Sequence, residues 1–143
     1  MAVKLVVDSS VAVKWFISEL NSTEARRMLV DAQVGTLTLF APDLINAEVG
    51  NVVWRNHIKQ GMEVSLAQRV ITQFQEVEIT LVPNKVLLLE AYHLAVTFRC
   101  TVYDAMYLAL SARERCQFVT ADKKLVNAVG SAMSNVVLLA NWS

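Results

Sequence analysis

Five short runs, 4–7, 36–40, 78–82, 118–120 and 136–139, are rich in Val, Leu, Ile, Thr and Phe. They are too short for helices, and each is bounded by polar or turn-forming residues. The segments between them carry helical periodicity. Within 63–75, for example, Leu66, Val70 and Phe74 recur at a spacing of four. Strands that read as nearly continuous apolar runs belong in sheets covered on both faces. Alternation of such strands with single or paired helices specifies an α/β fold with a parallel sheet. In folds of this kind ligands bind outside the carboxyl ends of the strands.

Local signals place the helices. Ser9 or Ser10 is expected to cap a short helix over 11–17. Asn21 with Glu24 reads as a capping box opening a helix that runs to Gln33. Gly35 turns the chain into the second strand. Pro42 and Asp43 are expected to open a longer helix that Gly61 closes. Pro83 and Asn84 break the third strand before a helix over 85–98. Thr101 caps the helix that runs to Arg115, and a short helix over 122–129 precedes the last strand.

The chain has 143 residues, a length suited to one domain spanning 1–143. Four Gly and two Pro exclude a linker-rich or disordered chain. Thirteen basic side chains balance thirteen acidic ones, which excludes a broadly polycationic nucleic-acid binder. Charged residues make up 18% against a usual value of about 25%, so surplus apolar surface is expected to face a partner or a second copy. The apolar runs are far shorter than the roughly 18 residues of a membrane span. Residues 1–7 lack the pattern of an export signal. Cys100 and Cys116 form no CxxC pair, so reduced thiols and a cytoplasmic location are expected.

Four carboxylates stand out by position. Asp8 and Asp122 each follow a strand directly and should lie at the carboxyl edge of the sheet. Either could also be a helix N-cap, a place where Asp is favoured. Glu48 has Leu44, Ile45 and Val52 as its helical neighbours, and Asp104 has Tyr107 and Leu108. Both acids thus sit on apolar stripes that face a core rather than water. A salt bridge to Arg55 would account for Glu48 alone, and a Thr101 cap for Asp104 alone. Burying an unpaired carboxylate costs several kcal/mol, roughly, so four that can converge on one edge call for a common cause. A hard divalent cation supplies it. Mg²⁺ or Mn²⁺ prefers oxygen ligands, and no His or Cys cluster competes for zinc. A carboxylate pocket loaded with one or two such ions attracts a phosphodiester that the bare pocket would repel.

The stretches carrying these acids are VVDSSVAVKWF (6–16), APDLINAEVGNVVW (41–54), TVYDAMYLAL (101–110) and VTADKKL (119–125). In this order and at these intervals they resemble the four motifs of PIN-domain proteins, in particular the toxin ribonucleases called VapC. The resemblance covers essentially the whole chain. It implies a three-layer α/β/α sandwich around a central, mostly parallel sheet of five strands. It also implies an Mg²⁺- or Mn²⁺-dependent endoribonuclease whose acids are Asp8, Glu48, Asp104 and Asp122. Ser10, or Ser9, and Thr120 match the hydroxyl residues that orient such carboxylates. An RNA substrate, a cognate antitoxin and a homodimer are the partners implied.

Other readings are weaker. Haloacid-dehalogenase-like phosphatases need a second Asp two residues after the first, where this chain has Ser10. Receiver domains need an early acidic pair and a late strand-end Lys, and neither is present. A PIN-domain module without catalysis, acting in a complex with a DNA-binding partner, would make the acids structural. Lys14, Arg99, Lys123 and Lys124 are candidate phosphate contacts. Trp15, Phe16 and Trp54 are candidates for stacking on bases or receiving a partner peptide, but core packing is the expectation, and His57 and His93 are expected on helix surfaces. Four of the thirteen acids in one pocket would leave nine negative charges against thirteen positive ones elsewhere. A net charge of zero is therefore compatible with a localised RNA site.

Overall fold

A computed structural model describes all residues, Met1–Ser143. The five apolar runs form five strands: β1 (Val3–Val7), β2 (Leu37–Pro42), β3 (Thr80–Val82), β4 (Gln117–Thr120) and β5 (Val136–Leu138). They make one sheet in the order β3-β2-β1-β4-β5, and every pairing is parallel. Leu5, Val6 and Val7 are all buried although successive strand side chains point to opposite faces. Helices therefore cover both faces of the central strand, as the continuous apolar runs require.

Seven helices connect the strands: α1 (Ser9–Ala12), α2 (Ser22–Gln33), α3 (Ile45–Gln60), α4 (Val64–Glu76), α5 (Asn84–Phe98), α6 (Val102–Glu114) and α7 (Lys123–Val129). The result is the α/β/α sandwich expected, with 31 buried apolar residues in one continuous core. Helix α6 is the most deeply set, with every residue from Ala105 to Ser111 buried. It packs on β1, β2 and β4, and α5 packs on α6. No helix is long and apolar enough to cross a membrane.

Several local expectations are corrected. The first helix is shorter than 11–17: α1 ends at Ala12 and a 3₁₀ turn, Val13–Trp15, follows it. Its cap is Asp8, whose carboxylate accepts the Val11 N–H, rather than Ser9 or Ser10. No capping box forms at Asn21, which adopts the left-handed conformation (φ 65°) and makes no side-chain cap bond. Ser22 takes over instead. Its Oγ accepts the Glu19 N–H at 2.9 Å and donates to the Ile17 carbonyl, closing the turn before α2. Pro42 does not open a helix but ends β2, paired with Val82. Beside it Asp43 Oδ1 accepts the Asn84 N–H, and Asn84 Oδ1 accepts the Leu44 N–H. This exchange joins the starts of α3 and α5, across a gap in sequence that no local signal spans. Gly61 closes α3 as expected, at φ 70°, where a residue without Cβ is favoured. Trp15 is buried and Phe16 packs edge-on against it, but Trp54 is 57% exposed and not in the core.

Candidate active site

The strand order reverses direction at β1. The chain moves from β1 to β2 on one side, and β4 lies on the other. The carboxyl ends of β1 and β4 thus flank a topological switch point, the place where parallel sheets open a crevice. Asp8 leaves β1 there, and Thr120 and Asp122 leave β4.

Asp8 is 7% exposed. Its Oδ1 accepts the Ser10 hydroxyl and its Oδ2 the Thr120 hydroxyl, each at 2.5 Å. Each hydroxyl in turn accepts a backbone N–H: Ala121 to Ser10 at 3.0 Å and Asp122 to Thr120 at 3.1 Å. An ionised carboxylate can only accept, so both hydroxyls turn their own protons toward it and take the N–H groups on their lone pairs. With the Val11 N–H, three of the roughly four acceptor positions of Asp8 are filled. Burial pushes the Asp8 carboxyl up to about 6. The Ser10 and Thr120 hydrogen bonds pull against that rise, and the nearby Asp104 charge adds to it.

Glu48 and Asp104 come from helices. Glu48, in the first turn of α3, is half-buried. Its Oε1 accepts the Tyr107 hydroxyl at 2.5 Å. Tyr107 is buried in α6, and its ring stacks on Phe118 of β4 at 5.5 Å between centroids. The Glu48 carboxyl is raised by burial, opposed by the Tyr107 bond, and raised further by the charges of Asp8 and Asp104. Tyr107 itself is pushed far above its ordinary value, first by burial and then by the charge of Glu48, so it stays a donor. Asp104 lies in the first turn of α6, where Thr101 Oγ1 accepts its N–H at 3.1 Å. Burial and the charge of Asp122 raise its carboxyl. Asp122 is exposed and caps α7, accepting the Leu125 N–H at 3.1 Å.

The structure thus brings Asp8, Glu48 and Asp104 within Coulombic reach of one another at one sheet edge, and Asp122 within reach of Asp104. Ser10 and Thr120 also stand where expected. Arg55 does not pair with Glu48: the chain has two ion pairs, Lys4–Glu114 and Lys14–Glu19. Lys14, a candidate phosphate contact, lies 3.5 Å from Glu19. His57 Nδ1 lies 2.6 Å from the Met62 carbonyl oxygen and steadies the end of α3. Both cysteines are unpaired. Tyr107 was missed by sequence reasoning as a functional residue, although its place one turn after Asp104 on the same stripe marked it.

No three of these acids, nor any other group of three His, Cys, Asp or Glu, stand at the spacing of ligands to a single ion. The donor set still fits a hard cation. It is all oxygen, carries concentrated negative charge and contains neither imidazole nor thiolate. Mg²⁺ keeps several waters and takes one or two carboxylates directly, so a wide acidic pocket suits it better than a tight cage would.

The family model described as PIN domain matches residues 5–130. The chain belongs to the PIN-domain family. It is similar to Ribonuclease VapC3 of Pyrobaculum aerophilum, with 31% identity over 125 residues, 85% of this chain and 92% of that one. Among solved structures, PAE2754 from Pyrobaculum aerophilum superposes with a TM-score of 0.70 at 20% identity, covering 98% of this PIN domain and 93% of that chain. A toxin–antitoxin complex from Klebsiella pneumoniae follows at 0.65 and 15% identity, covering 94% of this chain and 97% of that one. VapC20 of Mycobacterium tuberculosis, described as a toxin cleaving the sarcin–ricin loop, gives 0.63 at 13%, covering 87% and 94%. At these identities the structural likeness is one of fold.

Proposed function

We propose that this PIN domain, spanning 1–143, is an Mg²⁺- or Mn²⁺-dependent endoribonuclease and the toxin of a VapBC-type toxin–antitoxin pair. The observation that carries the reading is Asp8: a buried carboxylate, held by two hydroxyls at the sheet's switch point, with the charges of Glu48 and Asp104 close to it and that of Asp122 close to Asp104. A structural role for such a group would be better served by a neutral side chain, because burying the charge is unfavourable.

Asp8, Glu48 and Asp104 would hold the ion, one or two of them directly and the rest through its waters, and Asp122 would hold a second ion or complete the negative pocket. A bound ion supplies Lewis acidity and charge neutralisation at the scissile phosphate. The chain's residues do the positioning. Ser10 and Thr120 fix the plane of the Asp8 carboxylate. Tyr107 fixes that of Glu48 and leaves its second oxygen free. Partners in this position matter because a ligand's orientation sets its affinity.

The family ties and the Klebsiella complex support a cognate antitoxin. The exposed apolar residues of α5, including Leu88, Leu89, Tyr92 and Val96, support a homodimer. An RNA target and unpaired cysteines would be in keeping with a cytoplasmic site of action. Sequencing of RNA ends after controlled expression, with Asp8→Asn as control, tests catalysis and finds the substrate together. New ends that appear in both, or in neither, refute the reading.

A further inference from the structure

Two clefts open beside the acids, and their chemistry differs. The first lies between α3 and the start of α6, on the Glu48 side, and measures about 340 Å³. Tyr103, Asn51 and Arg55 line it together with Glu48. Tyr103 is 66% exposed, and its hydroxyl makes no hydrogen bond within the chain. A large aromatic ring in water, one residue before a pocket acid, has no packing role in this chain. The second cleft, about 530 Å³, lies on the Asp104 and Asp122 side, where Arg99 and Lys124 line it. Arg99 ends α5 in the left-handed conformation, φ 55°, which an L side chain rarely adopts.

Charge gives these clefts their meaning. Arg55, Arg99 and Lys124 sit near a concentration of carboxylates, yet none forms an ion pair. Cations held beside acids without pairing remain free for an anionic ligand. An aromatic face, a side-chain amide and unpaired cations around a phosphodiester-cleaving pocket are the elements that bind single strands. Rings stack on bases, and cations follow the backbone. A duplex would keep its bases stacked and away from Tyr103.

We propose that a single RNA strand crosses the acid pocket, with one base stacked on Tyr103 in the α3–α6 cleft and the backbone beyond the pocket held by Arg99 and Lys124. Asn51 is placed to read the edge of the stacked base, which makes this cleft a determinant of cleavage-site preference. The proposal rests on the ribonuclease reading of the same pocket.

The test is binding of a fluorescein-labelled single-stranded RNA of mixed sequence, followed by anisotropy. The full chain carries Asp8→Asn so that the RNA stays intact. Adding Tyr103→Ala should weaken binding about tenfold, and Tyr103→Phe should restore it, since base stacking needs only the ring. Arg99→Ala and Lys124→Ala should each flatten the salt dependence, by about 0.7 in the slope of log K against log salt. Equal binding by the parent and the Tyr103→Ala protein overturns the track, as does an unchanged salt slope. The two levels separate cleanly. If the chain with Asp8 restored cleaves RNA but Tyr103→Ala alters neither affinity nor cut sites, the track fails alone. If that chain neither binds nor cleaves RNA, the ribonuclease reading fails with it.

Discussion

The β1–α1 and β4–α7 corners are built alike. Each strand ends in an acid, Asp8 or Asp122, whose carboxylate accepts the N–H three residues on and caps the next helix. They differ in what surrounds the cap. Asp8 is buried, holds two hydroxyl donors and is pushed up to about 6. Asp122 stands in water with its cap bond alone. The same capping chemistry thus serves two ends. The exposed Asp caps its helix and nothing more is fixed, whereas the buried one is also clamped in place, as the metal ligand proposed above would need to be. The β4 corner also serves the β1 corner, because Thr120 spends its proton on Asp8 while accepting the Asp122 N–H.

The largest expected contrast is in cleavage. Asp8→Asn should lower the RNA cleavage rate by at least about 100-fold, beyond what loss of a supporting partner costs, and Asp122→Asn by about tenfold or less. Single-turnover assays with one labelled RNA check both, and equal losses would erase the distinction between the corners.

Stability should move the opposite way. The folded Asp8 carboxyl titrates at about 6 against an ordinary 3.8, so between these values the folded chain holds a proton that the unfolded chain has released. Metal-free protein should therefore be most stable below about pH 4, lose stability as pH rises through this window, and level off above about pH 6. Asp8→Asn, which mimics the protonated acid, should flatten that fall and gain about 2–3 kcal/mol at pH 7. Urea melts in chelator at pH 4, 5, 6 and 7 measure this. A parent whose stability is flat across the window would show that burial does not load the β1 corner.

Next comes the link between the corners. Thr120→Val keeps the shape and removes the donor, and should weaken Mn²⁺ binding by about 10–100-fold in calorimetry. Tyr107→Phe tests the equivalent link to Glu48 within the same range, with the ring still stacked on Phe118. The smallest effect is Asp122→Ala, which should cost about 1 kcal/mol through the lost cap of α7 and show as a modest fall in Tm.

What could be read from the sequence divides along the same physical line. Strand order of appearance, both-faces burial and the four acids followed from short-range patterns: apolar runs, residues just past strand ends, and stripes on helices. Asp104 and Glu48 were legible because a charge on an apolar stripe contradicts its neighbours. Tyr107 was visible only as part of such a stripe, since its partner Glu48 lies 59 residues away. Asn21 misled because its capping signal depends on φ, and the chain turns there through the left-handed region. Pro42 misled because Pro suits the last position of a strand as well as the first of a helix. Trp54 was assigned to the core by residue type, and tertiary placement decided otherwise.

The hydroxyl of Thr120 reaches Asp8 across 112 residues of sequence. A ribosome that has delivered the first 115 residues has already made the elements that carry Asp8, Glu48 and Asp104, but not β4. Until β4 slots in beside β1, Asp8 lacks one of its two clamps and Asp122 does not yet exist in the pocket. A chain cut short before β4 would therefore lack both this clamp and Asp122.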